Sequence, residues 1–310
     1  MTTEIARQDY GGWKDCYRLD NGTMQIVVVA DVGPRIMDLR LRGGENLLFH
    51  VPGQLGGAGE PCFQVRGGWR LWVAPEDAAT TCALDNEPCS VVAIEGGLRI
   101  VGPAQEAAGI EKQIELRLDH ERLRLVSRIR NVGTTPRRYA CWSLPMLRSG
   151  GRAFIPLDVG NARDYATLRR LILWSYTSLS DARYRIGAGL VEVDHRAIAP
   201  KRDEPGRPSA DSKLGTDSKQ GWAGYLLGDT LFWKRWRVQP GLYAHGDATT
   251  EIFSNRDLLE LEHLGPLTTL QPGDSAEIAE DWWLFAGVSV PTNERAALAV
   301  LEDYVRRTPL

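Results

Sequence analysis

Apolar and polar residues alternate most clearly over 23–30, 35–41, 110–118, 123–131 and 138–147, and a period of two marks strands with one buried face. Within 123–131, Leu123, Leu125 and Ile129 fall on one side, and Arg124, Val126, Arg128 and Arg130 on the other, as strand geometry requires. The arginine side reads as a solvated sheet face, the alternative being a groove for an acidic ligand. Further strand-like runs at 190–195, 221–227, 231–236, 250–254, 258–264 and 275–285 are separated by Gly, Pro or Asp. They extend the pattern into an antiparallel meander, and long β-rich chains of this kind close as sandwiches or barrels. One segment is predicted to be helical. At about 292–306, Thr292 or Asn293 can cap, and Ala297, Leu298, Leu301, Tyr304 and Val305 recur at spacings of three and four. No repeat or internal boundary interrupts the chain, so residues 1–310 read as one β domain. Two stretches break the meander: 52–90, rich in Gly, Pro and Ala, and 196–220, polar with three prolines. Loops of this length tend to be functional or mobile.

Composition narrows the class. The 32 glycines and 17 prolines suit turn-rich β structure and disfavour a helical bundle. Lys and Arg number 37 against 40 Asp and Glu, a formal charge of −3, too balanced for a dedicated nucleic-acid binder. No apolar run reaches the roughly eighteen residues that span a bilayer, and the first residues lack a basic segment followed by an apolar one. The expected setting is cytoplasmic, without nucleic-acid or membrane partners. The five cysteines, 16, 62, 82, 89 and 141, include no C-x-x-C pair, so they read as mostly buried thiols rather than a zinc site or a disulfide framework.

Two segments concentrate ligand-reading side chains. Arg66, Gly67, Gly68, Trp69, Arg70, Trp72 and Glu76 place two guanidiniums, two indoles and a carboxylate within eleven residues. Indoles stack on the C–H faces of sugars while Arg and Glu read hydroxyls, the usual composition of a small-ligand site. In 251–267, Glu260 and Glu262 lie two apart, on the same face of a strand. Neighbouring carboxylates repel, which raises one pKa toward the range useful for acid–base work. His245 and Asp247 lack further ligands at a diagnostic spacing, so no metal is expected. Neither a G-x-S-x-G elbow nor a phosphate-binding glycine loop is present.

The segments RGGWRLWVAPE, NVGTTPRRYACWSLPML, LWSYTSLSDAR, SKLGTDSKQGWAGY, EIFSNRDLLELEHLGPL and LQPGDSAEIAEDWWL together resemble the galactose-mutarotase-like superfamily, in particular a bacterial branch related to aldose 1-epimerases. The resemblance spans about residues 10–286. It implies an all-β fold, an antiparallel β-supersandwich with a sugar groove across one concave sheet. Arg66 is similar to the substrate-facing arginine in the RGG of hexose-phosphate mutarotases, and Glu262 matches the position of the epimerase catalytic carboxylate. The chain departs from the pattern where aldose epimerases carry a proton-donating histidine: here the stretch reads Ala140, Cys141, Trp142 and Ser143.

The expected function is therefore binding of a mono- or oligosaccharide, with anomer interconversion that needs no cofactor. Glu262 would be the general base. Lys213, Arg70 or Arg66 would stabilise the ring oxygen or orient the sugar, a buried lysine with a lowered pKa being able to serve as proton donor, and Arg66, Trp69, Arg70, Trp72, Glu76, Trp142 and Glu260 would bind substrate. The alternative is a carbohydrate-binding or sensing module in which nothing reacts.

Overall fold

The computed structural model describes residues 3–161, 163, 165, 167–198 and 210–310. In chain order the strands are β1 (Glu4–Tyr10), β2 (Trp13–Asp20), β3 (Met24–Val29), β4 (Arg35–Leu41), β5 (Trp69–Ala74), β6 (Ser90–Ile94), β7 (Gly97–Val101), β8 (Ile110–Asp119), β9 (Arg122–Asn131), β10 (Arg137–Arg148) and β11 (Arg152–Pro156). They continue with β12 (Leu171–Leu173), β13 (Tyr184–Ile186), β14 (Leu190–Asp194), β15 (Ser212–Thr216), β16 (Trp222–Leu227), β17 (Thr230–Trp236), β18 (Thr250–Ser254), β19 (Leu258–Leu264), β20 (Thr268–Leu270) and β21 (Ser275–Phe285). Among the described residues these build two sheets. The first, of eleven strands, runs β1-β2-β3-β4-β5-β10-β19-β18-β15-β12, with β20 also on β10; the second, of ten, runs β13-β14-β11-β16-β17-β21-β9-β8-β7-β6.

The sheets meet face to face, and the strand alternation becomes the core directly. Ile26, Leu71, Val73, Leu214, Ile252, Leu259 and Leu261 of the first sheet join Ile114, Leu116, Leu123, Leu125, Phe232 and Trp282 of the second in one buried cluster. Arg124 and Arg128 point the other way, to solvent, where they pair with Asp281 and Glu277 on β21. The helix Glu294–Arg307 closes the outer side of the second sheet: Asn293 caps it by accepting from the Ala296 N–H at 3.1 Å, and Ala297, Leu301 and Tyr304 pack against Phe154, Leu190 and Trp233.

This is the antiparallel β-supersandwich with a C-terminal helix expected from the sequence. Three readings need correction. The stretch 52–90 contains β5, so Trp69–Ala74 is a buried central strand rather than a loop surface. Of the polar stretch 196–220, residues 199–209 lie outside the described residues, while Ser212–Thr216 is a wholly buried strand. Of the cysteines, only Cys16 and Cys141 are buried; Cys82 and Cys89 are half-buried and Cys62 is exposed.

Candidate active site

The outer face of the eleven-stranded sheet collects the side chains that alternate away from the core. β15 contributes Lys213, β18 Glu251 and Phe253, β19 Glu260 and Glu262, β10 Trp142, and β5 Arg70 and Trp72. Register decides which of them meet. A tight turn joins β18 to β19, in which Asn255 Oδ1 accepts from the N–H groups of Asp257 at 2.9 Å and Leu258 at 3.1 Å. It sets Ser254 opposite Leu259 and therefore Glu251 directly opposite Glu262, the closest side-chain relation a sheet offers. On the other side of β18, Glu251 faces Gly215. A Cβ there would lie 3.2 Å from Glu251 Cγ and 3.1 Å from Ala248 Cβ, so the glycine gives the carboxylate its space.

Lys213 bridges the pair. Its Nζ lies 2.8 Å from Glu262 Oε2 and 2.8 Å from Glu251 Oε2, and over the rings of Trp142 at 4.5 Å and Trp174 at 4.8 Å. Trp142 Nε1 also donates to Glu262 Oε2, at 2.7 Å, whereas Glu262 Oε1 is buried with no hydrogen-bond partner. Both carboxyls are 0% exposed. Burial, reinforced by Glu251 and Glu260 and opposed by Lys213, pushes the Glu262 carboxyl well above its usual range. Burial acts on Glu251 in the same direction, but Lys213 and His245 outweigh it and hold that carboxyl low. The pair is thus split, Glu262 drawn toward its neutral form and Glu251 toward its ionised form, beside an ammonium that the two carboxyls stabilise against its own burial. The lowered lysine pKa expected from the sequence is reversed: Lys213 stays charged and cannot serve as the acid.

His245 enters from the turn before β18. Its Nδ1 is 2.7 Å from Glu251 Oε1, and its Nε2 accepts the Glu76 N–H at 3.1 Å, which places the ring proton on Nδ1. Three successive residues, His245, Gly246 and Asp247, have φ of 53°, 75° and 71°, a conformation that costs about 1–2 kcal/mol for each non-glycine residue. Asp247 holds the turn through the Tyr243 N–H at 3.1 Å and Arg170 at 2.5 Å. The imidazole packs edge-on against Trp142 and Trp174.

Beside this centre lie Arg70 and Glu260, themselves buried, and the half-buried Trp72. Arg70 stacks on Trp72 at 3.8 Å and sits 3.6 Å from Glu260. Burial draws its guanidinium down to about 10 and pushes the Glu260 carboxyl up against the pull of Arg70 and Lys213. Tyr176 is exposed, with its hydroxyl pushed up to about 12 by partial burial. Trp174 is held through its turn, where Thr177 Oγ1 accepts the Lys213 N–H at 2.9 Å. Among the described residues no group of three or more His, Cys, Asp or Glu side chains is arranged to hold a metal ion.

The structure brings together Glu262, Lys213, Glu260, Arg70, Trp72 and Trp142, and touches them through the backbone of Glu76. It does not bring Arg66 or Trp69. Arg66 is 0% exposed, turned onto Glu60 Oε1 at 3.0 Å, Gln54 O and Asn86, so it clamps the 52–86 segment. Trp69 points between the sheets, donating to Ser143 Oγ at 2.7 Å. The near carboxyl partner of Glu262 is Glu251 across the ladder, ahead of Glu260 two residues along. Glu251, His245, Trp174 and Tyr176 were not among the residues expected to carry the site. The first was within reach, because a turn at Asn255–Asp257 fixes the register that sets it opposite Glu262.

No protein-family model matches the sequence, and no curated protein matches it. Solved structures do. A protein provisionally named an aldose 1-epimerase from Klebsiella pneumoniae is 12% identical, with 98% of this chain and 87% of that one covered at a TM-score of 0.57. A galactose mutarotase-like protein from Lactobacillus casei is 10% identical over 86% and 99%, TM-score 0.55. A galactose mutarotase related enzyme from Lactobacillus acidophilus is 11% identical over 88% and 98%, TM-score 0.51. The chain therefore has the galactose mutarotase-like fold.

Proposed function

We propose that the chain is a sugar isomerase of the mutarotase kind, in which the Glu251–Glu262 pair moves the protons. The observation that carries this reading is two directly opposed, fully buried carboxyls on a single lysine. Mutarotation removes a proton from the anomeric hydroxyl and delivers one to the ring oxygen, with no net change. A pair with one carboxyl protonated and one ionised is matched to that exchange. Glu262 holds the proton and gives it first, then acts as base when the ring recloses. Glu251 takes the anomeric proton, held in place for it by the His245 Nδ1 contact. Lys213 keeps the total charge constant while the proton changes place. Trp72, Trp174 and Tyr176 offer the sugar flat apolar surfaces, and Arg70 with Glu260 reads its hydroxyls.

Anomer exchange followed by saturation-transfer NMR on glucose, galactose and uronic acids tests the reading. Glu262→Gln keeps shape but loses the mobile proton, and exchange is expected to fall by about 10² to 10⁴. A folded Glu262→Gln variant with undiminished exchange would remove the pair from the chemistry. The complete burial of Glu262 favours a second reading, a carbohydrate-binding module in which the pair only organises the face. In that case the wild type binds sugar and leaves anomer exchange at its uncatalysed rate.

A further inference from the structure

A cavity of about 560 Å³ is walled in part by Asp247 of the turn that carries His245. Its size falls within the roughly 300–1,000 Å³ of small-molecule sites. One wall is apolar, made by Pro240, Leu242 and Tyr243, with Leu242 64% exposed. That wall is fixed in place. The Leu242 carbonyl accepts the Leu267 N–H at 2.7 Å, Tyr243 Oη donates to Gln239 O at 2.7 Å, and a side chain at Gly241 would meet Pro266 Cβ at 2.7 Å. The other wall is polar and equally ordered: Asp217 Oδ1 accepts the Arg170 N–H at 2.7 Å, and Arg170 reaches Asp247 Oδ2. Arg170 and Lys219 balance Asp217 and Asp247 around the cavity, so no net field selects an ion. A rigid apolar plate facing paired carboxylates and a guanidinium suits a neutral polyhydroxylated ring, its C–H face on the plate and its hydroxyls on the charged pairs.

The chain connects this cavity to the active site twice. His245 and Asp247 are two residues apart in one turn, the first bound to Glu251 and the second to the cavity wall. Arg170 and Trp174 flank β12, about 13 Å apart along four extended residues, Arg170 at the cavity and Trp174 over Lys213. We infer that the cavity is a second carbohydrate subsite, taking the neutral ring that follows in a short oligosaccharide whose first ring lies over Trp174 and His245. The inference rests on the sugar reading above and narrows its substrate to oligosaccharides.

Titration calorimetry on the full chain with glucose, galactose, maltose, cellobiose and lactose tests it, in the wild type and in Leu242→Asp and Lys219→Glu. At least one disaccharide is expected to bind about tenfold or more tighter than either monosaccharide. Leu242→Asp, at an exposed position, should erase that gain while leaving monosaccharide affinity within about twofold, and Lys219→Glu should reduce the gain by upsetting the charge balance. Equal affinity for mono- and disaccharides, or a Leu242→Asp variant that weakens both alike, overturns the subsite and leaves the sugar reading standing. Failure of all five sugars to bind overturns the sugar reading and the subsite with it.

Discussion

Two buried lysine–carboxyl clusters occupy opposite sides of the same sheet. Between the sheets, Glu280 meets Lys234 Nζ at 3.3 Å, His263 at 3.7 Å and the Ser143 hydroxyl, all out of solvent, with Trp69 donating to Ser143 and Trp236 stacked on His263. On the outer face, Lys213 meets Glu262 and Glu251 under Trp142 and Trp174. The ingredients are alike and the stoichiometry is not. One carboxyl with a lysine, a histidine and a hydroxyl donor is driven down to about 2, despite a burial that pushes it up, and stays ionised. Two carboxyls on one lysine compete for its charge, and burial drives Glu262 up while Glu251 is held down. A cluster with a full complement of counter-charge is structural; a cluster one cation short stores a proton that can be used.

The contrast breaks most visibly if the lysines are removed. Lys234→Met strips the buried Glu280 carboxylate of its lysine and leaves it only His263 and the Ser143 hydroxyl, and urea unfolding should show a loss of about 3–5 kcal/mol. Lys213→Met should cost less, roughly 1–3 kcal/mol, because the two carboxyls there can share protons; the reverse order would refute the comparison. The pH dependence sharpens it. The Glu280 carboxyl is depressed from 4.5 to about 2, so its contribution, on the order of 3 kcal/mol, is present above 4.5 and lost as pH falls toward 2. The Glu262 carboxyl is raised, so its contribution is present below 4.5 and lost as pH rises through its folded value. Unfolding series should therefore show Glu280→Gln losing the acid limb, and Glu262→Gln gaining on the wild type as pH rises. Parallel pH curves for the two variants would argue against opposite proton states. The smallest effect belongs to the outer face of the other sheet, where Arg128 and Glu277 are paired but about 40% exposed. Arg128→Ala should change the thermal midpoint by no more than about 0.5 kcal/mol would.

Most of the sandwich was legible because strand alternation is written residue by residue: β9 buries Leu123, Leu125 and Ile129 and turns its half-buried to exposed arginines to the other face. β15 was not. Ser212, Lys213 and Thr216 look like loop residues, and the burial of Lys213 is balanced only by Glu251 and Glu262, which arrive from two other strands. Trp69 and Trp72 were assigned to one surface because their segment was not read as a strand; the alternation of β5 separates them. The turn before Trp69 hid Arg66 similarly, since Glu60 and Asn86, which engage it, are brought up only by the folded 52–86 segment. Glu262 itself was found by its position, and its full burial and its true partner required the ladder.

The turn at Asn255–Asp257 carries a consequence for how this chain can vary in length. Surface turns are ordinarily where insertions and deletions are absorbed. Here a single residue gained or lost would shift β19 by one position against β18 and exchange its two sides. Glu260 and Glu262 would enter the greasy interior, and Leu259 and Leu261 would face outward. Length change at this hairpin is consequently confined to alterations that preserve parity.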